Sequence, residues 1–229
     1  MSARDEIFGA IRRSLGVTGK EAPRRRTVAD RLASHPAGIV PKRGQLPPAA
    51  RVDLFATMAT DAAATVARVP ALGEIPAAVA AFLREHGLPP AVRRGEDALL
   101  ASLPWEREPT LNVSAQATPE NAPTSISHAF AAAAETGTLA LTSGPDNPTA
   151  LNFLPDNHIV VLATKDIAGD YEGVWQRLRE KFGAGLLPRT VNLITGPSRS
   201  ADIEQTLILG AHGPRRLHVI VVEEAAGMD

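Results

Sequence analysis

The sequence predicts an α/β protein built on a mostly parallel β-sheet with helices on both faces. Several segments of strand length are continuously apolar, among them 158–164 and 217–222, as is typical of strands buried on both faces. These segments alternate with amphipathic helical segments, which is the pattern of parallel strands joined by helical crossovers. The chain has 229 residues, of which 44% are apolar, and this suits one large domain with an N-terminal extension.

The N-terminal part of the chain predicts one helix followed by a connector. Ile7, Phe8, Ile11 and Leu15 form one apolar stripe that ends at Gly16, and we expect this helix to dock on the main body or on a partner. Residues 19–48 are rich in Pro, Gly and Arg without sustained periodicity, as in connectors. We therefore divide the chain into residues 1–48, an N-terminal helix with a proline-rich connector, and residues 49–229, a single α/β domain.

Apolar periodicity and cap residues predict the remaining elements in chain order. The predicted helices begin at Asp53, Pro76, Asp170 and Asp202 and extend to Val69, Gly87, Gly183 and Leu209 respectively. The predicted strands are 91–94, 111–114, 138–143, 158–164, 190–195 and 217–222. The alanine-rich segment 128–137 fits either a helix or a strand that enters a tight turn at Gly137.

Composition excludes several classes of function. The chain has no cysteine, which removes disulfides, thiol catalysis and cysteine-bound clusters from it. The six histidines lack metal-binding spacing, and the net charge of −1 argues against a nucleic-acid surface. No apolar run approaches the ~20 residues of a membrane span, and the charged N-terminus is unlike a signal peptide. We therefore expect a cytoplasmic protein.

Residues 195–204, "TGPSRSADIE", form the first unusual polar segment, directly after a predicted strand and at the start of a predicted helix. Gly196, Ser198, Arg199 and Ser200 bring backbone N–H groups, two hydroxyls and a guanidinium together, which suits a phosphate or a carboxylate. Alternatively, Ser198, Ser200 and Asp202 only cap the helix, and Arg199 pairs with Asp202.

Residues 134–147, "AETGTLALTSGPDN", form the second unusual segment. Glu135 precedes Thr136, Gly137 and Thr138, and a carboxylate beside a glycine can face a ligand closely. Glu135 is accordingly a candidate nucleophile or base, although a turn carboxylate bonded to nearby threonines is the alternative. Residues 143–148 predict a turn that could form the opposite lip of a cleft.

His212 and Gly213 lie in "GAHGP", where flanking glycines indicate close approach of the backbone to a neighbour. A neutral imidazole here could orient a carboxylate, or could be satisfied by local backbone. His158 is expected only to open a strand. A catalytic triad of Ser198, His212 and Asp202 is rejected, because the nucleophile-elbow pattern is missing. The sequence has no P-loop motif, which excludes a P-loop nucleotide hydrolase.

Taken together, "AETGTLALTSGPDNPTALNFLPDNHIVVL" and "TGPSRSADIEQTLILGAHGPRRLHVIVV" resemble the lactate-utilisation (LUD) domain family, specifically its short C-type subunit, over about residues 110–222. The resemblance implies a Rossmann-like three-layer α/β/α sandwich, similar to the NagB/RpiA/CoA-transferase-like fold. It also implies a part in the oxidation of L-lactate to pyruvate within a three-protein system. Iron–sulfur clusters are then expected in the partner proteins, with no cofactor in this chain.

The resemblance also implies which residues form a site. The family motifs match Glu135, Thr136 and Gly137, then Gly196, Pro197, Ser198, Arg199, Asp202 and Glu204, then His212, Gly213 and Pro214. In CoA-transferases of similar fold a glutamate beside a glycine loop forms the acyl link, and Glu135 is the candidate equivalent. We expect the two unusual segments to converge on one pocket for a small anion such as lactate or pyruvate.

Three functions remain open from the sequence. The first is an accessory subunit that binds a small anion or docks redox partners. The second is a free-standing acyl- or sugar-phosphate-type enzyme that uses Glu135 as nucleophile or base and Arg199 to hold the anionic group. The third is a scaffold without a ligand.

Overall fold

The structure, a computed structural model, describes residues 2–115, 123–183, 185–200 and 208–224. The chain divides into two compact units, Met1–Ile39 and Val40–Asp229. No helix in the described ranges combines the length and the apolar character that a membrane span requires.

The first unit contains two helices, α1 (Ala3–Ser14) and α2 (Ala22–Ser34). Helix α1 begins with a capping box, in which Ser2 Oγ accepts from Asp5 N and the Asp5 carboxylate accepts from Ser2 N. Helix α2 lies within the segment predicted as a connector, and the sequence analysis did not predict it. The helix has proline in its first turn and no buried residue, so alanine and arginine propensity supports it without an apolar stripe.

The second unit contains five α-helices and twelve strands among the described residues. The helices are α3 (Pro48–Asp61), α4 (Ile75–Glu85), α5 (Ala98–Ser102), α6 (Thr149–Phe153) and α7 (Tyr171–Phe182). The strands are β1 (Thr65–Ala71), β2 (Ala91–Arg94), β3 (Asn112–Ala115), β4 (Thr124–His128), β5 (Ala131–Ala133), β6 (Thr138–Thr142), β7 (Asn157–Ala163), β8 (Ile167–Ala168), β9 (Val191–Ile194), β10 (Arg199–Ser200), β11 (Ile208–Leu209) and β12 (Arg216–Glu224).

The centre of the fold is a six-stranded sheet in the order β1-β12-β7-β4-β2-β3. All of its neighbouring strands are parallel, and the predicted α/β fold is confirmed. Alternate residues of 159–162 and 219–222 enter two different apolar clusters, one shared with α3 and the other with α4 and α5. Because both faces are buried, these strands are apolar without interruption.

A second, four-stranded sheet has the order β8-β5-β6-β9. Strand β6 runs antiparallel to both β5 and β9. One face of this sheet joins the cluster that contains α3, and the other packs against Val174 and Leu178 of α7. The predicted strands 138–143 and 190–195 lie in this second sheet. The alanine-rich segment adopts the strand alternative, as β5 followed by a turn in which Gly137 has φ 66°.

Two predicted helices differ from the structure. Helix α3 begins at Pro48 and ends at Asp61, and the predicted continuation to Val69 forms strand β1. Strand β1 pairs with β12, about 150 residues away in sequence, which local periodicity does not reveal. The predicted helix at 202–209 lies mostly outside the described residues, but Ile208 and Leu209 form strand β11, which pairs with β10.

Candidate functional site

A cavity of about 240 Å³ lies beside the segment that follows β9. Residues 193–199 form one of its walls and residues 212–214 another. Asn152 and Phe153 of α6, His158 at the start of β7 and Leu217 at the start of β12 complete the lining. The cavity therefore lies at the amino ends of β7 and β12. Strand β9, which belongs to the second sheet, reaches the same cavity with its carboxyl end.

The structure brings five of the predicted site residues together at this cavity, namely Gly196, Ser198, Arg199, His212 and Gly213. A backbone hydrogen bond from Ser198 N to Pro214 O (2.8 Å) joins the two walls, and Gly210 N, two residues before the second wall, donates to Ser198 O (3.0 Å). Ser198 Oγ also accepts from His212 N at 3.2 Å.

Two further predicted residues lie at the edge of what is described. Ser200 follows Arg199 in strand β10, but it is not among the described residues that line the cavity. Asp202 lies outside the described residues, as does Glu204. The alternative interpretation, in which Ser198, Ser200 and Asp202 cap a helix and Arg199 pairs with Asp202, therefore stays open.

The charge lining the cavity favours an anion. Arg199 is exposed, its Nη2 donates to Ala62 O at 2.8 Å, and a guanidinium has five N–H donors in all. Among the described residues that line the cavity, none is an aspartate or a glutamate. A cavity with a cation and without a nearby carboxylate in its described lining attracts negatively charged small molecules.

A buried polar chain forms the floor of the cavity. Ser127 Oγ contacts His158 Nε2 at 3.0 Å and Asn152 Oδ1 at 3.1 Å. Asn152 and His158 have no exposed surface. Burial lowers the pKa of His158 from 6.5 to about 3, so its imidazole is neutral. Sequence analysis overlooked Ser127 and Asn152, and it assigned His158 to the strand entrance alone. The available signal was polar residues at the fully buried ends of strands β4 and β7.

The second unusual segment, residues 134–147, lies next to this cavity but does not border it. Glu135 is 3% exposed. Its Oε1 accepts from Tyr171 N at 3.2 Å, whereas its Oε2 has no hydrogen-bond partner among the described residues. Thr136 Oγ1 and Thr138 Oγ1 lie 2.7 Å apart, and both contact the Tyr171 hydroxyl.

A side-chain contact links the two segments. Thr138 Oγ1 lies 2.5 Å from Thr195 Oγ1, and Thr195 lines the cavity. The segments therefore meet through hydroxyl groups behind the cavity wall. Glu135, Thr136, Gly137 and Thr138 are not lining residues, so the expectation that both segments face one pocket does not describe this geometry.

Both motif glycines contact helix α3 and its C-terminal cap. A Cβ at Gly137 would lie 2.3 Å from Ala59 N, and a Cβ at Gly196 would lie 2.1 Å from Ala62 O. Both glycines also have positive φ, 66° and 75°. Close packing against α3 and backbone conformation therefore require glycine at these positions, independently of any ligand.

A second cavity, of about 590 Å³, lies at the carboxyl ends of β2 and β4. His128 Nδ1 is 3.4 Å from Asp97 Oδ2 there. Burial raises the pKa of Asp97, but hydrogen bonds from His128 and Leu100 N and the charge of His128 outweigh it, so this pKa is lowered. Pro145 and Asp146 of the predicted turn line this cavity. The predicted lip thus borders a different cleft from Arg199.

Comparison with known proteins places the chain in a family. Residues 53–222 match the model of the LUD domain. "Lactate utilization protein C" of Geobacillus sp. (strain WCH70) is 39% identical over 92 residues, 40% of this chain and 38% of that protein. The protein of the same name from Halalkalibacterium halodurans is 38% identical over 106 residues, 46% of each chain. The aligned region thus spans less than half of the length of each of these relatives.

A solved structure has a similar fold. The crystal structure of a DUF162 family protein from Deinococcus radiodurans matches 77% of this chain and 99% of its own, with a TM-score of 0.54 and 27% sequence identity. Since the LUD domain model covers most of the chain, including both unusual segments and the cavity between β7, β9 and β12, this chain belongs to the LUD domain family.

Proposed function

We propose that this chain is a subunit like lactate utilization protein C, which takes part in the oxidation of L-lactate to pyruvate by binding a small carboxylate anion in the Arg199 cavity. The names of the relatives support the pathway. The chain has no cysteine, so thiolates that hold iron–sulfur clusters come from partner proteins. The subunit itself does not carry the electrons.

The observation that carries this proposal is the make-up of the Arg199 cavity. Residues 193–199 and 212–214 form its walls. The guanidinium of Arg199 is held by a hydrogen bond from Nη2 to Ala62 O. A planar guanidinium matches the geometry of a carboxylate. The apolar surface of Phe153, Leu193 and Leu217 in the same lining suits the methyl group of a three-carbon acid.

Calorimetric titration of the purified full chain with L-lactate and with pyruvate tests this proposal. We expect saturable binding of at least one of the two anions, and we expect Arg199→Gln to weaken it about tenfold or more, because a charge-assisted hydrogen bond is lost. Arg215→Gln is the matched control. Arg215 is an exposed arginine whose Nε lies 3.7 Å from Asp156 Oδ1, and it does not line the cavity.

Two results would contradict the proposal. One is the absence of saturable heat with both anions. The other is equal loss of affinity in the Arg199 and Arg215 variants, which would indicate a general charge effect. The unfolding midpoint of each variant shows whether the fold is retained.

One observation favours the alternative, a free-standing acyl- or sugar-phosphate-type enzyme with Glu135 as nucleophile or base. A buried carboxylate oxygen without a hydrogen-bond partner is costly, and Glu135 Oε2 has none among the described residues. A buried polar atom without a partner calls for an explanation, and a catalytic role is one such explanation. Wild type and Glu135→Gln assayed on acyl-CoA and sugar-phosphate panels separate the two functions, and a wild type without turnover removes the alternative.

A further inference from the structure

The two helices of the first unit expose apolar side chains to solvent. No residue of α1 or α2 is buried. Val28 and Leu32, four residues apart and therefore on one face of α2, are 56% and 68% exposed. The apolar stripe of α1 is 43% to 62% exposed and consists of Ile7, Phe8, Ile11 and Leu15. Exposed apolar faces bordered by polar residues mark surfaces that bind something else.

Positive charge accompanies these apolar side chains. In α1, the guanidinium groups of Arg4 and Arg12 lie 5.6 Å and 5.9 Å from the centroid of the Phe8 ring, so both cations stand beside the apolar stripe. In α2, residues 24–26 are three consecutive exposed arginines. Residues 1–39 contain eight Lys and Arg against four Asp and Glu, which gives them a net charge of +4. The first unit is therefore both amphipathic and basic.

We propose that residues 1–39 form a docking surface for an anionic phospholipid bilayer. The apolar side chains of α1 and α2 enter the acyl-chain region, and the arginines beside them bind lipid phosphates. This inference does not depend on the proposed function, because the described lining of the Arg199 cavity contains no residue of the first unit.

The order of layers in a bilayer matches the order of groups on α1. The anionic phosphate layer lies directly above the acyl chains, so a helix in the interface buries its apolar face about 5–10 Å deep while neighbouring cations stay among the phosphates. Arginine suits this place, because its aliphatic stem follows apolar surface while the guanidinium reaches the charged layer.

The length of α1 also agrees with binding in the plane of the membrane. Its 12 residues span about 18 Å, which is shorter than the hydrocarbon core of about 30 Å. The helix therefore lies along the bilayer surface, where each cation near anionic lipid adds to the attraction.

Sedimentation of the purified full chain with phospholipid vesicles tests the proposal. One set of vesicles is phosphatidylcholine alone, and the other contains phosphatidylglycerol as about a quarter of its lipid, which makes the surface anionic. We expect the chain to bind the anionic vesicles about tenfold or more tightly than the neutral ones. Raising NaCl from about 0.1 M to about 1 M shortens the Debye length from about 10 Å to about 3 Å, so it should remove most of this preference.

Two matched pairs of variants separate the apolar contribution from the charged one. Ile11→Ser removes an isoleucine of the α1 stripe and should weaken binding to the anionic vesicles about fivefold or more. Leu187→Ser, at an exposed leucine of the second unit, should leave binding unchanged. Arg25→Glu should weaken binding about tenfold or more. Arg189→Glu, at an exposed arginine of the second unit, changes the net charge equally and should have no effect.

Four results overturn the proposal. The first is the absence of binding to the anionic vesicles, and the second is equal binding to both kinds of vesicle. The third is an equal loss of affinity in Arg25→Glu and Arg189→Glu, and the fourth is an equal loss in Ile11→Ser and Leu187→Ser. The unfolding midpoint shows whether each variant keeps its fold, and Leu15→Ser replaces Ile11→Ser if the latter does not fold.

A second copy of the chain is the other partner that a basic amphipathic surface would attract, because residues 40–229 contain more Asp and Glu than Lys and Arg. Light scattering of the lipid-free chain separates this case. We expect Ile11→Ser to leave the measured mass unchanged. A dimer that Ile11→Ser dissociates would assign the stripe to contact between copies, and it would overturn the proposal.

Discussion

At the scale of single residues, the motif glycines carry information about packing. Gly137 and Gly196 belong to the segments by which the sequence resembles its family, and the sequence analysis connected them with a ligand. In the structure both approach α3 or its cap, at Ala59 and Ala62. A glycine needed for close backbone approach has the same sequence pattern whether the neighbour is a ligand or a helix.

Gly137→Ala should strongly destabilise the fold. A Cβ at this position meets the backbone of α3 at 2.3 Å, and φ is 66°, so we expect the free energy of unfolding to fall by about 2 to 4 kcal/mol. Gly87→Ala is the control, because Gly87 has φ 60° but no atom within 4 Å of the added Cβ, and only about 1 kcal/mol should be lost. Urea unfolding measures both, and equal losses would contradict the packing argument.

The cavity floor shows why part of the site could not be predicted from residues alone. Arg199, Ser198 and His212 lie within short polar segments, and the sequence analysis identified all three. Ser127 and His158 meet only because β4 and β7 are neighbouring parallel strands, 31 residues apart in the chain. They lie in different strands, and no spacing rule connects them.

At the scale of elements, local patterns identified those elements whose signals lie in one segment. Helix α7 begins after its cap Asp170 and ends before Gly183 as predicted, and α4 ends near Gly87. Strand β1 was predicted as helix, because Val66 and Val69 fit helical spacing as well as strand spacing. Its identity depends on parallel pairing with β12 at the other end of the chain.

The separation into two sheets also depends on distant contacts. Strand β9 has the composition of a buried parallel strand, yet it pairs antiparallel with β6. This pairing turns its carboxyl end, and with it Gly196 and Arg199, toward the amino ends of β7 and β12. The general rule for open parallel sheets applies instead to the cavity at His128 and Asp97. The sequence therefore predicted that Gly196, Arg199 and His212 lie together, but it did not predict at which end of the main sheet they lie.

At the scale of the whole molecule, the two units differ in net charge and in whether they contribute residues to the apolar clusters. Residues 1–39 contain eight Lys and Arg against four Asp and Glu, whereas the chain as a whole has a net charge of −1. The three apolar clusters are built from described residues that begin at Val52. Stability of the second unit thus depends on its two larger sheets and on α3, α4 and α7.

The free energy of unfolding should depend on pH through two buried histidines of the central sheet. Burial lowers the pKa of His158 to about 3, and burial with the charge of His86 lowers that of His218 to about 4, from 6.5 in both cases. The unfolded chain then binds more protons below pH 6.5. Stability is therefore fully present above about pH 6.5 and falls as the pH decreases toward 4.

Between those pH values, each histidine should lower the free energy of unfolding by about 1.4 kcal/mol per pH unit. Urea unfolding at pH 7, 6 and 5 measures the slope. His218→Phe should keep the stacking on Phe82 (4.4 Å between ring centroids) while it removes one titrating group and about half of the slope. A stability that is constant from pH 7 to 5 would mean that both imidazoles accept protons in the folded state, and the neutral floor of the cavity would no longer hold.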